Sequence, residues 1–203
     1  MNQITIKPFA TSNLGSLSSL LSSVFPGFQL IHSPSSESIL NVIPGVGNFE
    51  NAIRELNVSG VSLMNDFSHQ FTLGICLGFH LLCQSSDEAS SDCEGYSVFP
   101  LKVLSLRDLS TDRPIHTGWS QVTFLSDEFS SLSGFYYFSH SYGVPWSPDD
   151  TNILAVYTFN GRKYVAAYYK NNFLGLQFHP ETSGSKGRLL LKTILNHLGG
   201  IAA

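Results

Sequence analysis

The chain has 203 residues, of which 42 % are hydrophobic and 12 % aromatic, enough apolar material for one domain with a sizeable core. Only 13 % of the residues are charged, and eleven Lys and Arg against fifteen Asp and Glu give a net charge of −4. This balance argues against a nucleic-acid-binding surface and against a basic patch for anionic lipids. No apolar run approaches the length of a membrane span, so we expect no membrane association.

Two features of the sequence bear on its compartment. The first residues, Met1 to Ile6, lack the basic and then apolar stretches of a secretory signal. The three cysteines form an odd count without the spacing of a disulfide framework. We therefore expect a cytoplasmic protein, with a single domain over residues 1–203.

The N-terminal half alternates short apolar strands with amphipathic helices. Strands are predicted at Ile4–Lys7, Phe28–Ile31, Ile39–Ile43 and Phe71–Ile75. Helices are predicted at about Leu14–Val24, at Phe49–Leu56 and at Leu77–Leu82, where apolar residues recur every three to four positions. Such alternation predicts a mostly parallel sheet covered by helices on both faces.

β-branched and aromatic runs dominate the chain from about residue 98 to residue 178. Strands are predicted at Val122–Phe124, Phe135–Phe138, Ile153–Phe159, Val165–Tyr169 and Phe173–Phe178, with a final helix over Lys186–Leu198. Asn160-Gly161 separates two of these strands and is typical of a tight hairpin turn. We therefore predict a three-layer α/β fold, mostly parallel, with an additional antiparallel portion.

The segment from Leu73 to Phe79 carries the strongest chemical signal. An apolar strand runs into Gly74-Ile75-Cys76-Leu77-Gly78, and helical periodicity resumes at once. This is the pattern of a nucleophile elbow, in which a strained strand-to-helix turn lifts the nucleophile clear of the sheet. Glycines leave room for the neighbouring backbone, and the helix N-terminus favours a thiolate at Cys76. The alternative is a buried structural cysteine between turn glycines.

A cysteine nucleophile needs a base, and the base needs a group that orients it. His179-Pro180-Glu181 follows an apolar strand, and Pro180 biases His179 toward an extended conformation. Residues i and i+2 of an extended segment point to the same side, so Glu181 could accept a hydrogen bond from His179. Taken alone, the same tripeptide would be an ordinary surface turn.

Pro44-Gly45-Val46-Gly47 also follows a predicted strand. Two glycines beside a proline let backbone N–H groups turn toward a pocket, as an oxyanion hole requires. An ordinary β-to-α turn would have the same composition.

In this order and at this spacing, the three motifs resemble the class I (triad) glutamine amidotransferases. Within that family, the chain is most similar to the branch of glutaminase subunits of imidazole glycerol phosphate synthase. Four further stretches point to this branch: Asn48-Phe49 with Ala52, Ser85–Glu88, His116–Trp119 and Tyr137–Tyr142. The resemblance covers about residues 42–198.

The resemblance implies the fold predicted above and a cysteine-dependent glutaminase without a metal or other cofactor. Cys76 would attack the carboxamide of L-glutamine and form a thioester, His179 would transfer the protons, and Glu181 would orient His179. Further substrate contacts are implied for Gly45, Gly47, Leu77, His80, Glu88, Ser141 and Tyr142, with backbone N–H groups near Gly47 and Leu77 at the oxyanion. The ammonia would pass to a partner, in this branch a (β/α)8-barrel cyclase of histidine biosynthesis.

One departure from the family leaves alternatives open. His80 stands where the family usually has a Gln that helps to seat the substrate. The chain could therefore be a paralogue that serves a sugar amidotransferase in surface-polysaccharide synthesis, or a catalytically weak scaffold subunit. Other cysteine hydrolases on a similar sheet, such as γ-glutamyl peptidases, are a further alternative.

Cys76, His80 and Cys83 also share one face of a predicted helix, at positions i, i+4 and i+7. This spacing allows a metal site as an alternative reading. Thiolate sites usually pair their cysteines at gaps of two to four residues, so we predict no metal there.

Overall fold

The computed structural model describes residues 3–7, 14–33, 35–58, 70–90, 92–106 and 115–202. Within these ranges the strands are β1 (Gln3–Ile6), β2 (Gln29–Ile31), β3 (Ser38–Ile43), β4 (Phe71–Ile75), β5 (Ser85–Ser86), β6 (Lys102–Ser105), β7 (His116–Phe124), β8 (Gly134–His140), β9 (Tyr142–Gly143), β10 (Ile153–Phe159), β11 (Arg162–Lys170) and β12 (Phe173–Leu176). The α-helices are α1 (Leu14–Val24), α2 (Phe49–Val58), α3 (Leu77–Leu82) and α4 (Gly184–Gly199), and short 3₁₀ helices lie at Asp127–Leu132 and Pro180–Thr182. None of these helices is long and apolar enough to cross a membrane.

A nine-stranded mixed sheet forms the centre of the molecule, in the order β2-β1-β3-β4-β12-β11-β10-β7-β8. The strands from β2 to β12 in this order are parallel to their neighbours. From β12 onward every pair is antiparallel. The predicted combination of a parallel sheet with an antiparallel portion is confirmed.

Two hydrophobic cores lie on opposite faces of this sheet. One contains the apolar faces of α1 and α4, with Leu21 and Ile194 fully buried. The other contains the apolar faces of α2 and α3, with Phe49 and Phe79 fully buried. Helices on both faces give the three layers that the sequence predicts, since each amphipathic helix buries one stripe against the sheet.

The turn between β10 and β11 confirms the predicted hairpin. Asn160 and Gly161 both have positive φ, 47° and 74°, and Phe159 pairs with Arg162 across the turn. Two consecutive positive φ values define the turn type that Asn-Gly favours, because its twist matches that of the flanking strands.

Three details differ from the predictions. A second, three-stranded sheet, β5-β6-β9, was not predicted: β5 and β9 have two residues each and β6 has four, which is too short to show a periodic pattern. The strands β7 and β8 extend well beyond the predicted apolar runs. The last strand was predicted to reach Phe178 but ends at Leu176, and the chain then turns so that the backbone N–H of His179 donates to Tyr137 of β8.

Candidate active site

Cys76 occupies a strained turn between β4 and α3. Its backbone has φ 47° and ψ −100°, a region that a residue with a Cβ rarely adopts. A Cβ on Gly74 would lie 2.6 Å from the carbonyl oxygen of Gly78, and a Cβ on Gly78 would lie 2.1 Å from that of Ile43. Both flanking glycines are therefore required for close backbone packing, and the predicted elbow geometry is present.

The pairing of β4 with β12 places this turn beside the C-terminal motif. Ile75 is in register with Leu176, and the backbone N–H of Cys76 donates to the Leu176 carbonyl at 2.7 Å. The residues that follow β12 therefore leave the sheet at the same edge as Cys76. This is the edge at which open parallel sheets carry their ligands.

His179 and Glu181 form a buried pair, as the sequence predicts. Nδ1 of His179 lies 2.8 Å from Oε1 of Glu181, and the side chains are 5 % and 7 % exposed. His179 is extended, but Pro180–Thr182 is a 3₁₀ helix. The expectation that a continuous extended segment aligns the two side chains is therefore wrong, since a tight turn after His179 brings them together.

The surroundings of His179 favour its protonated form. Burial alone would lower its pKa, but the negative charge available at Cys76 and Glu181 raises the pKa above its ordinary value. Nε2 of His179 is buried and makes no close hydrogen bond with a described side chain, and Cys76 is near enough for its interaction with the imidazole to contribute to the raised pKa. A pair in which one imidazole nitrogen is held by a carboxylate and the other is available to the thiol suits proton transfer.

A cavity of about 370 Å³ opens beside Cys76. Its lining includes eight of the ten residues predicted for the site: Gly45, Gly47, Cys76, Leu77, His80, Glu88, Ser141 and Tyr142. His179 and Glu181 do not line it. Four residues that the sequence did not assign to the site, Val46, Ile115, Ser139 and His140, complete the lining.

The glycine turn after β3 forms one wall of the cavity. A Cβ on Gly45 would lie 2.4 Å from the carbonyl oxygen of Ile75, so only glycine fits beside the elbow. Gly47 has φ 130°, a conformation that favours glycine. The turn therefore brings bare backbone close to Cys76, as an oxyanion hole requires.

Glu88 lies next to this turn, against the start of α2. One carboxylate oxygen accepts a hydrogen bond from the backbone N–H of Phe49 at 3.1 Å, and the other accepts from Asn48 Nδ2 at 3.2 Å. Burial raises the pKa of Glu88, while these two hydrogen bonds act in the opposite direction. Because a carboxylate has about four acceptor positions, Glu88 retains capacity for a cationic group in the cavity.

His80 is almost fully buried and pairs with Gln177, a residue that the sequence prediction did not assign. Nε2 of His80 lies 2.9 Å from Oε1 of Gln177, and Nε2 of Gln177 lies 3.8 Å from Cys76 Sγ. Burial lowers the pKa of His80 to about 4, against the weaker opposing effect of the Gln177 hydrogen bond. The position of Gln177, two residues before His179, was the available signal.

Two further histidines form a directional chain beside the cavity. His140 Nδ1 donates to the Tyr142 carbonyl at 2.7 Å, and its Nε2 lies 3.2 Å from Nδ1 of His116. Nε2 of His116 is 2.7 Å from the hydroxyl of Ser120. Burial lowers the pKa of both imidazoles, that of His116 to about 4. Two neutral rings satisfy this chain in one direction only, from Ser120 through His116 and His140 to the Tyr142 carbonyl.

The alternative of a metal site on α3 has no support in the geometry. Cys83 donates its S–H to the Phe79 carbonyl, and burial raises the pKa of its thiol. His80 is engaged by Gln177. Among the described residues, no three His, Cys, Asp or Glu side chains converge to hold a metal ion.

Comparison with known proteins places these features in a family. The family described as glutamine amidotransferase class-I matches residues 29–196. The imidazole glycerol phosphate synthase subunit HisH of Bacteroides fragilis is 38 % identical over 157 residues, 76 % of this chain and 78 % of that protein. The subunit of the same name from Prochlorococcus marinus is 31 % identical over 210 residues, 98 % of this chain and 100 % of that protein.

Solved structures show the same fold. A chain from the structure of PurLQS from Thermotoga maritima has a TM-score of 0.70 at 17 % identity, covering 97 % of this chain and 99 % of that chain. A crystal structure of a glutamine amidotransferase has the same TM-score at 14 % identity, covering 98 % and 99 %. With the elbow and the match over residues 29–196, these findings lead to one conclusion: the chain belongs to the class-I glutamine amidotransferase family.

Proposed function

We propose that the protein is a glutaminase subunit that hydrolyses L-glutamine to glutamate and ammonia and delivers the ammonia to a partner synthase. The observation that carries this proposal is the placement of Cys76, on a strained turn, beside the buried His179–Glu181 pair and a cavity of about 370 Å³. The relatives at 31–38 % identity are named as imidazole glycerol phosphate synthase subunits. They support histidine biosynthesis as the pathway.

The reaction begins with the Cys76 thiol. Its proton passes to Nε2 of His179, and the sulfur attacks the side-chain carboxamide carbon of glutamine. Backbone N–H groups near Gly47 and Leu77 donate to the oxyanion that forms. His179 returns the proton to the leaving nitrogen, and ammonia departs from a γ-glutamyl thioester.

Hydrolysis of the thioester uses the same two groups in turn. His179 takes a proton from water as the water oxygen attacks the thioester carbonyl. The carbon–sulfur bond breaks, glutamate is released, and the proton on His179 returns to the Cys76 sulfur. Glu181 stabilises the imidazolium in both steps and fixes the ring, since it is 2.8 Å from Nδ1.

The amino-acid end of glutamine lies between Glu88 and the segment Ser141–Tyr142 in this proposal. Glu88 accepts hydrogen bonds from the α-ammonium, and backbone groups of Ser141 and Tyr142 hold the α-carboxylate. All three residues line the same cavity as Cys76. His80 faces the same cavity and contacts the bound substrate.

An exposed apolar surface lies on the last two strands of the central sheet, β7 and β8. Trp119 and Phe135, on β7 and β8, are 56 % and 60 % exposed, and they line a shared groove with Leu125. Ile115, also exposed, lines the site cavity and immediately precedes β7. We assign this apolar face to the cyclase partner, a (β/α)8-barrel, because interface cores are rich in aromatic residues and poor in charge.

The location and domain organisation complete the proposal. Cys76, Cys83 and Cys93 are free thiols, which fits a reducing cytoplasm. One glutamine amidotransferase domain accounts for the chain.

The test measures glutamate release from glutamine by the full chain, alone and with the imidazole glycerol phosphate cyclase of the same organism. We expect the cyclase to stimulate release, and a complex that uses either glutamine or added ammonium as the nitrogen source. Cys76→Ala should abolish the glutamine-dependent activity and leave the ammonium-dependent activity intact. Cys93→Ala, a half-exposed cysteine outside the site, is the matched control.

Two outcomes would contradict the proposal. Absence of stimulation by the cyclase, with stimulation by a sugar amidotransferase, would assign the chain to surface-polysaccharide synthesis. Failure of a γ-glutamyl diazo-ketone to label Cys76 would indicate a scaffold subunit without glutamine turnover.

A further inference from the structure

Gln177 is a fully buried polar residue whose side chain joins two others. Its carboxamide oxygen meets His80 at 2.9 Å, and its carboxamide nitrogen meets the Cys76 sulfur at 3.8 Å. Its backbone N–H donates to Ala166 of β11 at 2.9 Å, so the residue is anchored on both sides. A buried amide with partners at both ends has one preferred orientation.

His80 determines that orientation. Its backbone N–H donates to the Cys76 carbonyl at 3.1 Å, which holds the backbone of His80 one helical turn from the nucleophile. The neutral ring carries one N–H, and its pairing with the Gln177 oxygen places that proton on Nε2. The opposite end of the amide, the NH₂ group, must then face the sulfur.

The orientation matters because the two ends of an amide act oppositely on a thiolate. An N–H donor stabilises negative charge on sulfur, whereas a carbonyl oxygen repels it. Cys76 and Gln177 are both nearly inaccessible to water, so solvent cannot screen the difference. A reversed amide would place two electron-rich atoms against each other.

We propose that Gln177 is a further catalytic residue that donates a hydrogen bond to the Cys76 thiolate, and that His80 is a positioning residue that keeps the donor end of the amide on the sulfur. This deepens the proposed function, because a thiolate is the nucleophile that glutamine hydrolysis requires. His80 thereby acts on the nucleophile as well as facing the cavity. His80, which stands where the family usually has Gln, therefore has two roles in this proposal.

The test follows alkylation of Cys76 by iodoacetamide as a function of pH, with the modified peptide quantified by mass spectrometry. This readout reports the thiolate and does not require glutamine turnover. For Gln177→Glu we expect the midpoint of the profile to move to higher pH and the rate at pH 7 to fall about tenfold. Gln177→Leu, which removes the donor without adding charge, should move the midpoint in the same direction by less.

Substitutions at His80 separate orientation from packing. His80→Phe fills the space but leaves the Gln177 oxygen without its donor, so the midpoint should rise. His80→Gln supplies an amide N–H to the same oxygen, and the midpoint should stay close to the wild-type value. Gln29→Glu, an exposed residue on the edge strand β2, is the control for added charge.

Each result supports or overturns the proposal. A midpoint that is unchanged in Gln177→Leu and in His80→Phe would overturn it, whether or not Gln177→Glu folds. A shift in these variants combined with no glutamine hydrolysis by the wild-type complex would refute the proposed function alone. Hydrolysis without a shift would refute this inference alone.

Discussion

Nδ1 of His179 lies 2.8 Å from Oε1 of Glu181, with only 5 % and 7 % of the two side chains exposed. The chain contains a second His–Glu pair of nearly the same length, His197 with Glu128 at 2.7 Å, whose side chains are 49 % and 53 % exposed. Equal distance with unequal burial gives different energetics, since water screens the second pair and not the first. The same substitution in each pair therefore separates the effect of the buried pair from that of the exposed pair.

Glu181→Gln should reduce glutamine hydrolysis by roughly 10²–10⁴-fold. The carboxylate helps to raise the pKa of His179, so its loss lowers that pKa, leaving a weaker base to take the Cys76 proton and less of the imidazolium that protonates the departing ammonia. Glutamate release with the cyclase present is the measurement. Glu128→Gln, in the exposed pair, is the control and should leave the rate unchanged; similar losses in both variants would show that the effect is not specific to the site.

His80→Gln should flatten the dependence of stability on pH. Burial lowers the pKa of His80 from 6.5 in the unfolded chain to about 4 in the folded protein. The unfolded state therefore binds more protons between these values, and stability is full above pH 6.5 and falls as pH drops toward 4. Removing the imidazole should abolish about 3 kcal/mol of this fall.

Urea unfolding of both proteins at pH 7.5, 5.5 and 4.5 provides the measurement. The difference in the free energy of unfolding between wild type and variant should be constant above pH 6.5. Below pH 6.5 the variant should become more stable relative to the wild type. If the two curves stay parallel to pH 4.5, His80 does not titrate as proposed.

The same variant should lower KM for glutamine if His80 weakens a substrate contact.

His140→Phe should raise KM for glutamine. The change removes the donor to the Tyr142 carbonyl, and with it the hydrogen bond that fixes this part of the cavity wall. Ser120→Ala removes only the far end of the histidine chain and should have a smaller effect in the same direction. Steady-state kinetics should show the order wild type, Ser120→Ala, His140→Phe in increasing KM; an equal effect of both variants would contradict the directional chain.

Gly78→Ala should destabilise the protein by roughly 1–3 kcal/mol, because the added Cβ would lie 2.1 Å from the Ile43 carbonyl oxygen. Gly15→Ala is the matched control. Gly15 lies in α1 with open space around it, and alanine there should stabilise by about 0.5–1 kcal/mol. Chemical denaturation should show changes of opposite sign in the free energy of unfolding of the two variants. An unchanged free energy of unfolding in Gly78→Ala would mean that the elbow can accommodate a Cβ at this position.

Trp119→Ala should weaken binding of the cyclase about 30-fold, a loss of about 2 kcal/mol. Trp119 is 56 % exposed and its ring contacts Tyr137 edge-on, so it offers a large preorganised apolar surface. Val58→Ala, an exposed apolar residue at the end of α2, should leave affinity unchanged. Isothermal titration with the cyclase tests both variants. Unaltered affinity in Trp119→Ala would show that the cyclase binds to a different surface.

The strand–helix pattern and the three motifs predicted most of the fold and the site because both depend on local rules. Apolar, β-branched and aromatic runs marked the long strands, period-3.6 apolar spacing marked the helices, and the glycines around Cys76 marked a turn whose flanking positions leave no room for a Cβ. Gln177 was missed because its partners are about a hundred residues away along the chain. Its place two residues before His179 marked it as near the site, but the contact itself exists only once β12 lies against β4.

The Pro180 motif shows how a correct result can follow from a wrong local argument. Two residues of spacing was enough to predict that His179 and Glu181 meet, but they meet through a 3₁₀ turn. Short helices of this kind have no periodicity to detect. The two-residue strands β5 and β9 were not predicted from the sequence for the same reason.

The central position of β12 also dictates when the protein acquires activity during its synthesis. β4 and its cysteine leave the ribosome long before β12, which pairs with β4 on one side and β11 on the other. A nascent chain that ends before residue 173 contains Cys76 but has neither Gln177 nor His179 beside it. Until residues 173–181 have emerged, Cys76 therefore lacks both the proposed base and the proposed hydrogen-bond donor, and we expect shorter chains to hydrolyse no glutamine.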